Sequence, residues 1–443
     1  MLCEHMQLKR QHKFYRIRDN KGLSSILILT ILGAVIAAIM LVYTASVNIA
    51  STAEANSVFR LAGRSILSEY DKKLNEKYSL LGFRGDEKEI IKKIKAYSNL
   101  SFKNASIINL ISSFKKNESY YIKPEAKNID ANLKEYSLLD VNIFKNQIVK
   151  NQKKIKEIAK NITKKKIERK DEKDTKYRVL RNEIVKENLP SYGLKEDMNI
   201  LESIGQDIAN KINGIKNIDK FFKDKIDSSI VDSYMFSHFN SAIYQVSEEE
   251  SFFRNELEYI LQGGNSDKSN KDAVFRKILF IRAPLNAIHI KTDPKKSALV
   301  TELAAAGLIL GPAGEALAEL AIISAWSMAE AENDVKLLKD GEKVSFMKTA
   351  ENFALNSPKK AIDGTFSEKT VKPKVVSGQE YYDYLRILLL NQDENTKLLR
   401  IMDLIQINMK NLYNEDFLLR EYYAGFRMNA EVKNDILSYE YRY

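Results

Sequence analysis

The sequence predicts an α+β, mostly helical fold. One N-terminal transmembrane helix continues into a long amphipathic helix, and a helical ectodomain carries a small antiparallel sheet. Three observations support this prediction. Only 17 glycines and 7 prolines occur in 443 residues, so helix-breaking residues are rare. No charged residue lies between positions 22 and 53. Near the C-terminus the apolar residues change from helical spacing to strict alternation, which is typical of strands.

Residues 1–21 form a basic tail that we predict to be cytoplasmic. Six lysines and arginines and two acidic residues occur in it, and the whole chain has a net charge of +11. Basic residues beside an apolar segment stay in the cytoplasm. We therefore expect a single-pass protein of the cell membrane with a cytoplasmic N-terminus and an extracellular ectodomain. The one cysteine, Cys3, lies in this tail, so an intramolecular disulfide is excluded.

Residues 22–49 form the predicted transmembrane helix. Its apolar part, residues 26–47, would be about 33 Å long as a helix, enough to cross a hydrocarbon core of about 30 Å. The apolar run of a secretion signal is usually about 7–15 residues, so the length favours an anchor that is retained. Small residues at positions 51–53 leave a cleaved signal open as the alternative.

Small residues within this helix suggest a packing face. Gly33 and Ala37 are four residues apart, and so are Ala34 and Ala38. This spacing places each pair on one side of a helix, where another helix can approach closely. The ordinary composition of membrane helices would give the same pattern, so both interpretations stay open.

The start of the apolar segment suggests proteolytic processing. A charged leader ends at Gly22, and Leu23 begins the apolar helix. Type IV prepilin processing sites have this arrangement. Those sites usually carry a glutamate where this chain has Leu27. Gly22 and Leu23 are therefore a candidate processing site with one departure from the pattern.

Residues 50–190 are predicted to hold the rest of the long helix, mixed strands and a lysine-rich helix. Apolar residues at helical spacing continue to Leu81, and "YSLLDVNIF" at 136–144 has strand character. Isoleucines from 148 to 167 predict the lysine-rich helix. On it, Lys164, Lys165 and Lys166 are candidate contacts for anionic envelope polymers, and a solvated helix face is the alternative. An extracellular position argues against nucleic acid as a partner.

Residues 191–443 are predicted to form a helix-rich ectodomain that ends in strands. Residues 297–329 are rich in alanine, leucine and isoleucine, and Gly311-Pro312 divides them. We expect two buried helices there, with a membrane-inserting hairpin as the alternative. The segment 380–413 predicts one strong helix. Alternation from Phe426 to Val432, and again from Tyr439 to Tyr443, predicts the C-terminal strands.

The sequence contains none of the common catalytic signatures. HExxH, CxxC, GxSxG and the P-loop are absent, and two of the four histidines lie in the basic tail. We therefore expect no metal, no cofactor and no enzymatic activity. Four charged residues occur on apolar helices, and we expect internal polar contacts from them, with a reaction centre as the alternative: Glu258, Arg282, Glu330 and Asp334.

Several stretches together resemble a family of bacterial single-pass membrane proteins. They include "KGLSSILILTILGAVIAAIMLVYTASVNIASTAEANSVFRLAGRSILSEYDKKLNEKYSLLGF", "ILFIRAPLNAIHI" and "YYDYLRILLLNQDENTKLLRIMDLIQIN". Members of this family are similar to TadE/TadG-type proteins and are associated with tight-adherence (Tad) pilus loci. The resemblance implies a surface-facing structural or assembly component whose partners are the membrane and other pilus or envelope assembly proteins. A polymer-binding module and an envelope enzyme with an unfamiliar site are the alternatives.

Overall fold

The computed structural model describes residues 21–108, 126–161, 165–166, 179–180, 186–194, 201–214, 229–246, 250–305, 312–363, 369–432 and 435–443. This part of the chain is α+β and mostly helical, with a small antiparallel sheet, which confirms the predicted fold class. The helices are α1 (Lys21–Leu67), α2 (Lys72–Tyr78), α3 (Glu87–Ile108), α4 (Val141–Lys150), α5 (Gln152–Asn161), α6 (Leu201–Asn213), α7 (Ile230–His238), α8 (Glu256–Gln262), α9 (Asp267–Thr292), α10 (Pro294–Ala304), α11 (Pro312–Lys339), α12 (Pro358–Ile362), α13 (Tyr381–Leu390) and α14 (Glu394–Leu412).

The strands of the described residues are short and come from distant parts of the chain. They are β1 (Phe83–Arg84), β2 (Ala126–Asn132), β3 (Lys165–Lys166), β4 (Tyr244–Gln245), β5 (Tyr422–Tyr423), β6 (Gly425–Val432) and β7 (Asp435–Arg442). Three strands form a sheet in the order β2-β6-β7, while β1 pairs with β5 and β3 pairs with β4, both antiparallel. The predicted alternation at the C-terminus is confirmed, because every apolar residue of one face of β6 is fully buried: Phe426, Met428, Ala430 and Val432.

Helix α1 is continuous from the apolar segment into the following amphipathic segment, as predicted, but it ends at Leu67 and not near Leu81. A turn follows, and the Asp71 side chain accepts a hydrogen bond from the backbone N–H of Leu74, which caps α2. Leu74 and Tyr78 on α2 are fully buried. The apolar spacing continues past Leu67 because a second helix, α2, buries the apolar residues that follow.

The predicted strand at 136–144 is wrong. Asp140 accepts hydrogen bonds from the backbone N–H groups of Asn142 and Ile143, and this cap starts α4 at Val141. Phe144 and Ile148, four residues apart, are both fully buried. Packing of this helical face outweighs the strand propensity of the valine, isoleucine and phenylalanine residues.

The predicted lysine-rich helix is also wrong in its extent. Helix α4 ends at Lys150, and α5 ends at Asn161. Lys165 and Lys166 form strand β3, where backbone pairing with β4 places them opposite Gln245 and Tyr244. Lys164 lies outside the described residues. Lys165 and Lys166 therefore do not continue the helical face, and contact of the three lysines with anionic polymers stays a prediction.

The alanine-rich and leucine-rich segment forms two packed helices, α10 and α11, and Pro312 begins the second, as the Gly-Pro pair predicted. The prediction that both helices are buried is only partly right, because several of their leucines are exposed. Leu303 of α10 is 40% exposed, and Leu317 and Leu320 of α11 are 67% and 56% exposed. Val300 of α10 and the later part of α11, from Ile322 onward, pack in or against a core.

The predicted single helix at 380–413 is two helices, α13 and α14. Asp393 separates them, because its side chain accepts a hydrogen bond from the N–H of Thr396 and caps α14. Both helices contribute to the largest core, which they share with α7, α8 and α9. A smaller core surrounds Trp326 and Phe353.

The chain divides into two compact units. The first comprises residues 1–63, 92–130 and 428–439, and the second comprises residues 64–91, 131–427 and 440–443. Within the first, the ring of Phe59 lies 6.2 Å from that of Tyr439, whose hydroxyl donates to the side chain of Asn56. The second unit holds both cores described above.

Candidate functional site

The apolar half of α1 is the most unusual surface in the described part of the chain. Every large apolar side chain from Ile26 to Tyr43 is between 46% and 73% exposed. The helix has a mean hydropathy of 2.9 over its most apolar window, and none of that window is buried. Exposed apolar area of this extent is unfavourable in water, at about 25 cal/mol per Å². The length and composition fit a membrane span or a signal sequence.

Two threonine hydroxyl groups in or beside the apolar half of α1 are satisfied by the helix itself. Thr30 donates to the carbonyl of Leu27 at 2.8 Å, and Thr44 donates to that of Met40 at 2.7 Å. A hydrocarbon environment offers no water to bond polar groups, so they must bond within the helix or to another protein surface. These side chains are therefore compatible with lipid.

The four small residues predicted to pack against another helix all lie on the exposed surface of α1: Gly33, Ala34, Ala37 and Ala38. A Cβ atom built on Gly33 would meet no atom within 4 Å. Within the described residues this face is open, and contact with a second helix there stays a prediction. Gly22 and Leu23 lie in the first turn of α1, whose backbone is helical from Lys21, and their processing also stays a prediction.

A cluster of four buried charges lies between α9, α11 and the loop after α11. The Arg282 Nε atom is 3.0 Å from Asp334 Oδ2. The Lys348 ammonium is 2.6 Å from Asp334 Oδ1 and 2.9 Å from Glu330 Oε1. Two cations thus face two carboxyl groups, and all four side chains are at most 2% exposed. Three of these residues were expected to make internal polar contacts; Lys348 was not predicted.

The cluster separates the pKa values of its two carboxyl groups. Burial alone would raise the pKa of Asp334, but the charges of Lys348 and Arg282 lower it below its usual value. Burial raises the pKa of Glu330 in spite of the nearby Lys348. Glu330 also accepts hydrogen bonds from the backbone N–H groups of Ala354 and Leu355, so it holds the loop after α11.

Glu258, the fourth predicted residue, lies apart from this cluster on α8. Its Oε1 atom accepts hydrogen bonds from the N–H of Ala242 at 2.9 Å and from the hydroxyl of Tyr381 at 2.6 Å. Burial raises its pKa to about 7. Glu256, two residues earlier on the same helix, also has a pKa raised by burial to about 7 and accepts a hydrogen bond from Asn408. Each carboxyl group joins helix α8 to a neighbouring segment.

Ser237 and His238 are the nearest approach to a nucleophile and base among the described residues. The Ser237 hydroxyl lies 2.8 Å from His238 Nδ1, which is also 3.0 Å from the carbonyl of Tyr234. Burial lowers the pKa of His238 to about 4, so its ring is neutral at pH 7. No described carboxylate orients the other ring nitrogen, and Ser237 is only 6% exposed. These contacts hold the end of α7 together.

No group of three or more histidine, cysteine, aspartate or glutamate side chains is arranged to hold a metal ion within the described ranges. The sequence also gave no sign of Lys348. It occurs in the irregular segment "DGEKVSFMKTAENF", where nothing distinguishes it from the exposed Lys343. Only the tertiary fold brings it to the two carboxyl groups.

The described residues thus define a class of protein: a mostly helical α+β chain with one long, exposed, apolar helix near its N-terminus. The chain belongs to a family of unknown function (DUF5702), whose model matches residues 145–434, more than half of the chain. That match begins after α1 and includes the buried charge cluster. No curated protein and no solved structure matches the chain.

Proposed function

We propose that this protein is a membrane-anchored, surface-facing structural or assembly component of a Tad-like pilus or envelope apparatus. The observation that carries the proposal is α1, a single helix whose exposed apolar half continues into a half with buried residues such as Ala55 and Phe59. Helix α1 anchors the chain with its N-terminus in the cytoplasm, and the ectodomain engages other assembly proteins outside the cell.

Two features support a retained anchor. The exposed apolar run from Ile26 to Tyr43 is about 27 Å long, close to the thickness of a hydrocarbon core and longer than the apolar run of a usual signal. Thr30 within this run, and Thr44 and Ser46 just after it, donate hydrogen bonds to carbonyls of the preceding turn.

The ectodomain supports a structural role over catalysis. The charged residues singled out from the sequence are buried and bonded to neighbours: Arg282 to Asp334, and Glu258 Oε1 to Tyr381, although Glu258 Oε2 has no partner among the described residues. Paired in this way, these groups join helices and leave few hydrogen-bonding positions for a substrate.

The first test is the mass of the N-terminus of the mature protein taken from membranes. A chain that begins at Met1 supports an anchored assembly factor, and one that begins at Leu23 supports a processed, pilin-like subunit. A chain that begins near Glu54 contradicts both and leaves a secreted protein. Deletion of the protein should also abolish surface pili or adherence, and unchanged pili would contradict the pilus assignment.

A paired substitution tests the small-residue face. Gly33→Leu with Ala37→Leu should reduce pilus or envelope assembly while membrane insertion is unchanged, because bulky side chains prevent close helix approach. Ile31→Leu with Val35→Leu has the same spacing on the opposite side of α1 and is the matched control. Equal assembly in both variants would contradict a packing role for this face.

A further inference from the structure

A pocket of about 170 Å³ lies between α4 and the C-terminal strand β7, within the second compact unit. Polar and charged side chains from segments almost 300 residues apart line it: Tyr136, Gln147, Lys150, Arg442 and Tyr443. No sequence pattern connects these residues. The pocket is separate from the buried charge cluster, and Tyr443, which lines it, donates a hydrogen bond to the carbonyl of Leu67 at the end of α1.

Gln147 is the buried polar group of this pocket. The residue is only 4% exposed, and its side chain lines the pocket. Its main-chain carbonyl accepts a hydrogen bond from the N–H of Asn151, but no described residue bonds its side-chain amide. Its amide faces the pocket, so a molecule there that offers both a donor and an acceptor would bond to it.

Lys150 and Arg442 supply more hydrogen-bond donors than the described residues use. The Lys150 ammonium donates to the main-chain oxygen of Tyr443 at 2.6 Å, which leaves two of its three N–H groups. Arg442 directs Nε and Nη2 to one oxygen of Glu440, and its guanidinium also interacts with the Tyr136 side chain. A surplus of cationic donors favours a ligand with an anionic acceptor.

Arg442 is fixed in position before any ligand arrives. Its guanidinium lies 5.1 Å from the centre of the Tyr136 ring, and the Tyr136 hydroxyl donates to the same Glu440 carboxylate at 2.6 Å. The hydrogen bond from Tyr136, together with those from Arg442, lowers the pKa of Glu440, so this carboxylate stays ionised and holds the arginine. Such preorganisation reduces the entropy that binding must overcome.

The remaining wall of the pocket is apolar. Ile143 and Ala424 line it, as does Val149, which is 42% exposed. A pocket of this volume holds several waters and has room for a ligand on the scale of one amino-acid residue. The cationic side chains suit the carboxylate of such a residue, the Gln147 amide suits its peptide bond, and the apolar wall suits its side chain.

We propose that this pocket binds the carboxylate-terminated residue of a peptide. Lys150 and Arg442 bind the carboxylate, Gln147 bonds the preceding peptide group, and Ile143 and Val149 contact the side chain. The site would give the ectodomain a contact for the free end of a peptide chain, independently of the role of α1.

The test is a ligand-observed NMR titration of the full chain in detergent micelles, with probes up to about 10 mM. N-acetyl-L-alanine is the probe, N-acetyl-L-alaninamide lacks its charge, and acetate lacks its peptide group. We expect N-acetyl-L-alanine to bind at least about tenfold more tightly than either. Gln147→Leu and Lys150→Met should each weaken its binding by about five- to tenfold. Lys153→Met, an exposed lysine on α5 outside the pocket, should leave binding unchanged.

Several results would overturn the proposal. N-acetyl-L-alanine could fail to saturate the protein, or the neutral amide could bind equally well. Equal binding of acetate would leave a site for small anions only. Binding that is unaffected by both Gln147→Leu and Lys150→Met would place the ligand elsewhere. Lys150 is exposed, so its variant tests the site even if Gln147→Leu fails to fold.

Discussion

Replacing Lys348 by methionine should destabilise the second compact unit strongly. The lysine side chain is 2% exposed and contacts Glu330 at 2.9 Å, Asp334 at 2.6 Å and the carbonyl of Asn352 at 3.0 Å. Methionine fills a similar volume but removes the cation that both buried carboxyl groups share, while Arg282 still contacts Asp334. Removing one partner from a buried charged cluster typically costs about 3–5 kcal/mol, because the remaining charge is left without compensation.

The structure also sets a limit on that cost. The variant can neutralise its excess charge by protonating Glu330, whose pKa burial already raises. Holding a carboxyl group with a usual pKa of 4.5 protonated at pH 7 costs about 3 kcal/mol. The lost hydrogen bond to Asn352 adds about 1 kcal/mol. We therefore expect a loss of about 4 kcal/mol at pH 7, a large part of the about 5–15 kcal/mol typical of a folded domain.

The assay is urea unfolding of the full chain in micelles, followed by the fluorescence of Trp326. This residue is the one tryptophan of the chain, is fully buried, and packs against Phe353 beside Lys348. The deficit of Lys348→Met relative to the unsubstituted chain should shrink as pH falls from 7 toward 4.5, because protonating Glu330 then costs less.

The matched control is Lys372→Met. Lys372 also pairs with a carboxylate, Glu342, at 2.8 Å, but its side chain is 66% exposed, so its loss should change stability little. A deficit below about 1 kcal/mol for Lys348→Met at pH 7 would refute the reasoning. A deficit that does not change with pH would also refute it, because neutralisation of Glu330 could not then be its cause.

Three further predictions follow from other buried contacts. Glu258 keeps its proton in the folded state up to about pH 7, whereas the unfolded chain releases it near pH 4.5. The free energy of unfolding should therefore fall by about 3 kcal/mol as pH rises through this window. In urea unfolding at a series of pH values, Glu258→Gln should remove this part of the pH dependence. Gly205→Ala should lower the free energy of unfolding by about 1–3 kcal/mol in the same assay, because the added Cβ would lie 2.6 Å from the carbonyl oxygen of Phe280. Gly33→Ala is the control: its Cβ would meet no atom within 4 Å, so stability should not change. Emission from Trp326 should be blue-shifted in the folded chain and move to longer wavelength on unfolding; red emission from folded protein would contradict its burial.

The sequence predicted what depends on local periodicity and composition. The apolar run at 26–47 determined an exposed helix, because a charge-free stretch of that length has few other stable arrangements. Alternation from Phe426 to Val432 determined a strand with one buried face, because side chains in a strand point to opposite sides in turn. Pro312 marked the start of α11 because proline suits the first turn of a helix.

The predicted helix boundaries were wrong where a single capping hydrogen bond sets the start of a helix. Asp71, Asp140 and Asp393 each cap a helix, and each divides or redirects a segment that the apolar pattern had treated as continuous or extended. Aspartate is common on helix surfaces as well as at caps. Periodicity therefore could not identify which of the many acidic residues ends one element and begins the next.

The sequence by itself determined the class of this protein: a helical α+β chain with one apolar N-terminal helix and closing strands. Only the tertiary structure decided which polar groups meet. Lys348 joins Glu330 and Asp334, and Gln147 shares a pocket with Arg442, across separations for which the sequence has no period. Periodic patterns arise from the geometry of one helix or strand, whereas contacts between distant segments arise from how those elements pack, and that packing depends on the whole chain.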